Sequence, residues 1–249
     1  MYGVVLGTQL VGLLLAVGLA LVRAEPFPGP EDLRWSLVAG VLGALGVTAL
    51  YRGLAVGRMG IVAPITGVLA AVIPVVAGML LEGVPPPLVL VGIVLAILAV
   101  LLVSRVADEG GGRAGLAEAL VAGIAIGLFA IAISRLSDGH VFGPLVIVRA
   151  TQAVLVVALV AVTRAAWRPA PQAVPALVAI GILDMTGNSL YVLAVQAGAL
   201  AVASVLASMY PVVTVLLAVA FLREHITRDH WIGIGLAAVA IGCIGAGSR

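Results

Sequence analysis

A chain of 249 residues that is 63% hydrophobic and only 10% charged carries too little polar surface for a water-soluble domain. All 13 basic residues are Arg, gathered in short connections without a basic stripe or aromatic platform, which excludes a nucleic-acid-binding surface. The single cysteine, Cys243, excludes an internal disulfide and any metal site built on thiolates.

The apolar runs are long, continuous and rich in Gly, Ala, Val and Leu. They lack the alternating dyads of an outer-membrane barrel, so they read as membrane helices. The first, 3–22, begins almost at Met1 and has neither the basic leader nor the cleavage site of a signal peptide. A loop with Arg23, Glu25, three prolines, Glu31, Asp32 and Arg34 leads to a second helix, 35–56. Arg58 lies in the link to the third, 60–81, and the turn EGVPPP leads to the fourth, 88–103. The linker SRVADEGGGRAG is the most glycine-rich and charged in the chain. Helices follow at 116–134, 142–162, 174–195, 199–221 and 231–246, nine in all. The last two form a hairpin about a turn holding Arg223, Glu224, His225, Arg228, Asp229 and His230, with Trp231 where an interfacial indole prefers to sit.

The chain reads as one unit written twice, with repeats at 1–107 and 115–249. Thr8-Gln9 in the first helix matches Thr151-Gln152 in the sixth. ALYRGLAVG at the end of the second helix matches SLYVLAVQAG at the end of the seventh. Pro74 and Glu82 match Pro211 and Glu224. The helix at 116–134 has no counterpart, and its partner would precede Met1. A five-helix unit is odd, so successive units insert upside down, which is the inverted-repeat plan of many secondary transporters. The expected fold is therefore an all-α polytopic membrane protein of two inverted five-helix repeats whose first helix is missing, and a recorded start downstream of the true one is the favoured reason.

These paired stretches resemble the EamA-type transporters of the drug/metabolite transporter superfamily. SLYVLAVQAGALAVASVLASMYPVVTVLLAVAFLREHIT and HWIGIGLAAVAIG carry the resemblance in the second half. LYRGLAVGRMGIVAPI, PVVAGMLLEG and LVGIVLAILAVLLVS carry it in the first. The resemblance implies ten helices in two inverted repeats and export or exchange of small metabolites through a central cavity, in the plasma membrane. It also implies cytoplasmic termini. The arginine count points the other way: Arg52, Arg58, Arg105, Arg113, Arg164, Arg168, Arg223 and Arg228 fall on one side, against Arg23, Arg34, Arg135 and Arg249. Orientation stays open between the two.

Charges inside apolar runs single out the candidate site. Asp184, Asn188 and Tyr191 recur at i, i+4 and i+7 and share a helix face. A carboxylate at that depth binds substrate, carries a coupling proton or bonds a neighbouring helix. Arg149, in the preceding helix, is its natural partner, and the pair would cancel two buried charges and act as a gate. The alternative is an Arg149 that snorkels to the interface. Gln152 beside it, with Thr8 and Gln9 in the other half, offers a duplicated polar pair that lines a cavity or simply joins helices. Ser204, Ser208 and Pro211 form another i, i+4, i+7 face. Pro64, Pro74 and Pro211 are expected helix breaks, which in transporters free backbone carbonyls at binding sites and elsewhere only kink. Small pairs such as Gly3/Gly7, Gly123/Gly127 and Ala238/Gly242/Ala246 read as close packing, the last allowing a homodimer. The His225–His230 turn fits no metal spacing, and no catalytic motif or cofactor-binding loop is present. The sequence thus predicts a secondary transporter, not an enzyme, whose partners are the bilayer, a small-molecule substrate and a coupling proton. A lipid-modifying membrane enzyme and a truncated non-transporting subunit are the rivals.

Overall fold

Residues 2–56, 59–103, 114–164, 167–198, 200–217, 219–220 and 227–247 are described in the computed structural model, and among them only helices and turns occur. The helices are α1 (Tyr2–Val22), α2 (Pro30–Val56), α3 (Met59–Glu82), α4 (Pro87–Val103), α5 (Leu116–Ile133), α6 (Phe142–Thr163), α7 (Val174–Ala197), α8 (Leu200–Ala207), α9 (Tyr210–Leu217) and α10 (Arg228–Gly247). A 3-10 turn, Pro171–Ala173, leads into α7. Seven of these helices are long and apolar enough to cross a membrane, and α4 is a shorter apolar helix. In a bilayer the backbone must satisfy its own polar groups, so runs of this composition have no choice but helix. The chain is an all-α polytopic membrane protein.

Three boundaries depart from expectation, each for a local reason. Helix α2 begins at Pro30, five residues before the expected start. Proline suits the first helical position, Glu31 and Asp32 favour the positive end of the helix dipole, and Leu33 N–H bonds Gly29 O at 2.8 Å. Helix α10 takes in Arg228, Asp229 and His230, because Thr227 opens it: Trp231 N–H bonds Thr227 O, and the Thr227 hydroxyl lies 2.6 Å from His230 Nδ1. The expected single helix over 199–221 is two, α8 and α9. Pro211 has no N–H to give to Ala207, and the chain tightens there into three-residue bonds, Met209 N–H to Leu206 O and Val212 N–H to Met209 O.

By contrast, α3 runs unbroken through Pro64 and Pro74, so those two prolines are not helix breaks. One missing N–H is tolerated where the flanking turns keep theirs. The side chains of Pro64 and Pro211, Arg58, the linker 104–113 and the turn residues Arg223, Glu224 and His225 lie outside the described residues.

Two compact units draw on both sequence halves: Met1–Thr48 with Leu128–Ala197, and Ala49–Gly127 with Gly198–Arg249. In the first, α1 packs against α6 and α7. Its core gathers Ala16, Ala39, Ile133, Leu145, Val148, Met185 and Val192. One end is tied by carboxylates: Glu25 accepts the N–H groups of Phe142 and Gly143, at 2.8 and 2.7 Å, and so caps α6. Asp32 accepts Ser137 N–H at 2.8 Å and lies 3.1 Å from His140 Nδ1. Gln196 at the end of α7 donates to the carbonyls of Ser137 and His140.

In the second unit, α4 and α10 form the main seam. Val89, Ile93, Ala96, Ala99 and Val103 meet Ala237, Ala240 and Ile244 at spacings of three and four. The seam is close because of small residues. A Cβ on Gly92 would sit 2.7 Å from Ile244 Cγ1, and one on Gly233 would sit 3.1 Å from Ala99 O. Lipid tails are as apolar as leucine, so such backbone approach, not the hydrophobic effect, drives helix association. Helix α3 packs on α8, and Glu82 caps α8 by accepting Leu200 N–H at 2.9 Å.

Candidate functional site

The first unit carries one charged side chain deep in an apolar helix. Arg149 lies seven residues after Phe142, the start of α6, roughly 10 Å along the axis. Its side chain is 2% exposed. The helix face is set by Leu145, Val148, Gln152 and Val156, all buried, so the core-facing stripe of α6 includes Arg149 itself. It does not snorkel.

Three elements converge on one nitrogen of that guanidinium. Nη1 donates to Asp184 Oδ2 on α7 at 2.5 Å and to Gln9 Oε1 on α1 at 2.7 Å. Gln152 Oε1, one turn further along α6, lies 3.5 Å away. The ion pair is lopsided: Arg149 is enclosed, whereas the Asp184 side chain is 45% exposed. Asn188 stands one turn beyond and donates from Nδ2 to Asp184 O at 3.0 Å, with Oδ1 at 3.4 Å. The other two guanidinium nitrogens, Nε and Nη2, are buried without a hydrogen-bond partner among the described residues. A guanidinium offers five N–H donors. Three of them therefore face no acceptor, against the general rule that buried polar groups are paired.

Glycines let the backbones come this close. A Cβ on Gly12 of α1 would lie 3.2 Å from Arg149 Nε. On α2, a Cβ at Gly43 would overlap Gln152 Nε2, and one at Gly40 would sit 2.5 Å from Thr151 Cβ. The glutamines of the duplicated Thr-Gln pairs thus meet: Gln9 and Gln152 approach the same nitrogen of Arg149.

The remaining candidates fall elsewhere. Thr8 turns its hydroxyl back to Val5 O at 2.9 Å on its own helix. Tyr191 packs against the core of the first unit. Ser204 and Ser208 are buried in the second unit, where Ser208 Oγ donates to Val205 O at 2.7 Å, just before the break between α8 and α9. No group of three or more metal-ligating side chains occurs among the described residues. Sequence reasoning missed the Glu25 and Asp32 contacts. The Pro-Glu-Asp start of α2 was the visible signal for Asp32, and Glu25 had none.

A polytopic helical protein in which an enclosed arginine pairs with a half-exposed carboxylate on a neighbouring helix has the anatomy of a membrane transporter. Residues 113–246 match the EamA-like transporter family, and the chain belongs to that family. The match takes in Arg149 and Asp184. A crystal structure of a protein at 15% identity superposes with a TM-score of 0.81 over 99% of this chain and 88% of that one, a likeness of fold alone. A comparison with curated proteins finds no match.

Proposed function

We propose that the protein is a secondary active transporter that exports or exchanges a small metabolite across the plasma membrane. It does so by alternating access of two repeats, 1–107 and 115–249, inserted in opposite orientations. The Arg149–Asp184 pair is its switch. The observation that carries this reading is the binding of a fully enclosed guanidinium through a single nitrogen. Charge is balanced by Asp184, so the cation is tolerated at depth. Hydrogen bonding is not balanced, so a substrate acceptor admitted when the helices part gains three donors left unpaired in the closed state. Asp184, half-exposed, is the member open to a proton or to a substrate cation. Either would loosen its hold on Arg149 and give the two states different ligand affinities, as a transport cycle requires.

The test is a substrate-panel flux assay in proteoliposomes, with and without an imposed proton gradient. Accumulation of at least one metabolite that depends on the protein, and changes with the gradient, is the expected result. If no metabolite moves across a broad panel, while a lipid substrate is chemically altered, the transporter reading fails.

A further inference from the structure

At the far end of α6 the first unit holds a second assembly of apolar and cationic groups. Arg149 and Arg164 are fifteen positions apart on the same helix, roughly 22 Å along its axis, so this assembly is separate from the ionic cluster. A groove of about 490 Å³ runs there between α1 and α6. Leu6, Val157, Val160 and Ala161 line its apolar part, and Arg164 and Trp167 form its polar mouth. Arg168 joins the mouth, its guanidinium carbon 5.4 Å from the centre of the Trp167 ring.

Three features mark this mouth as built. Arg164 ends α6 in the left-handed conformation, φ 52° and ψ 28°, a place that glycine or asparagine usually takes. Residues 167–169 are pinned to α1: a Cβ on Gly3 would collide with the Trp167 carbonyl and sit 3.1 Å from Pro169 N. The two helices that form the groove bring no acidic residue to it. Residues 142–183 contain no Asp or Glu, and α1 has no charged residue at all. Arg164 and Arg168 form no ion pair among the described residues, unlike Arg34 and Arg52, which face Glu31 and Glu118.

We propose that this groove binds an anionic phospholipid. One acyl chain lies along Leu6, Val157, Val160 and Ala161, and the headgroup phosphate takes Arg164 and Arg168. The depth is right, because α6 has 22 residues, about 33 Å of helix, and its end reaches the headgroup region, where tryptophan concentrates. The charge is right, because basic pockets between membrane helices select acidic headgroups. A zwitterionic lipid fits the apolar floor equally well but brings its own cation to the two arginines. A soluble phosphate satisfies the arginines and leaves the floor unused.

The experiment is native mass spectrometry of the intact protein in mild detergent. It is titrated with phosphatidylglycerol or phosphatidylcholine of identical chains, and in a third arm with inorganic phosphate. At about a fivefold gain per arginine, the wild type should retain phosphatidylglycerol about 25-fold better than phosphatidylcholine. The double variant R164Q/R168Q should lose that preference while still holding either lipid weakly. V157W, which fills the groove, should lower retention of both. Both variants alter exposed side chains, and an unchanged melting temperature confirms that they fold. Equal retention of the two lipids by the wild type overturns the proposal. So does undiminished phosphatidylglycerol binding in R164Q/R168Q, or displacement of the lipid by millimolar phosphate.

Discussion

The two compact units bury opposite kinds of matter. The second is closed by a seam of Gly, Ala, Val and Ile between α4 and α10, in which Gly92 and Gly233 admit a neighbouring backbone or side chain. The first encloses Arg149 with Gln9 and Gln152, and draws a carboxylate to it. Within a bilayer, the helices inside each unit must associate without a hydrophobic driving force. The seam shows how cheaply that is done with small residues. An enclosed arginine is a costly alternative, and replacing a buried pair with apolar groups is often neutral or stabilising. Under the proposed transport cycle, its retention in the first unit follows from use, not from stability.

That contrast can be broken in graded steps. The largest effect on stability is expected from D184N, which leaves the enclosed Arg149 cation without its counter-charge, at a cost of about 3–5 kcal/mol. R149Q should cost distinctly less, because the carboxylate it strands is half-exposed. The double variant R149Q/D184N should recover most of the loss. Thermal melting in detergent gives all three, and a D184N that melts like wild type would remove the asymmetry. Next comes the seam. Gly233→Val thrusts methyl groups at Val103 Cγ2 and Ala99 O and should cost about 1–3 kcal/mol by overpacking. Its transport per folded molecule should stay near that of wild type, and a selective loss of flux would tie the seam to the cycle. Glu25→Gln weakens the cap on α6 and should cost about 1 kcal/mol, read as faster hydrogen exchange at Phe142 and Gly143. Leu14, 73% exposed on α1, faces outward, and Leu14→Ala should stay within about 0.5 kcal/mol.

Much of this was legible in the residues. A single Arg and a single Asp inside long apolar runs stand out by composition, and their depths, counted from the helix ends, make them partners. The Thr-Gln repetition pointed to Gln9, which does reach Arg149. The one-nitrogen grip was not legible, because it depends on how α1 seats Gln9, with Gly12 lying close against the guanidinium. Asp32 looked like a loop residue because its partners, Ser137 and His140, stand more than a hundred positions away. The three prolines read alike in sequence, yet only Pro211 coincides with an interrupted helix. Position within the turn and the neighbouring helices decide that, and neither is written locally.

The proposed transport cycle stands or falls on whether the Arg149–Asp184 pair moves substrate. The most direct measurement is protein-dependent flux in proteoliposomes holding equal amounts of wild type, R149Q and D184N, with insertion verified for each. The account predicts that both variants insert and that both lose flux. Wild-type flux in both would contradict it.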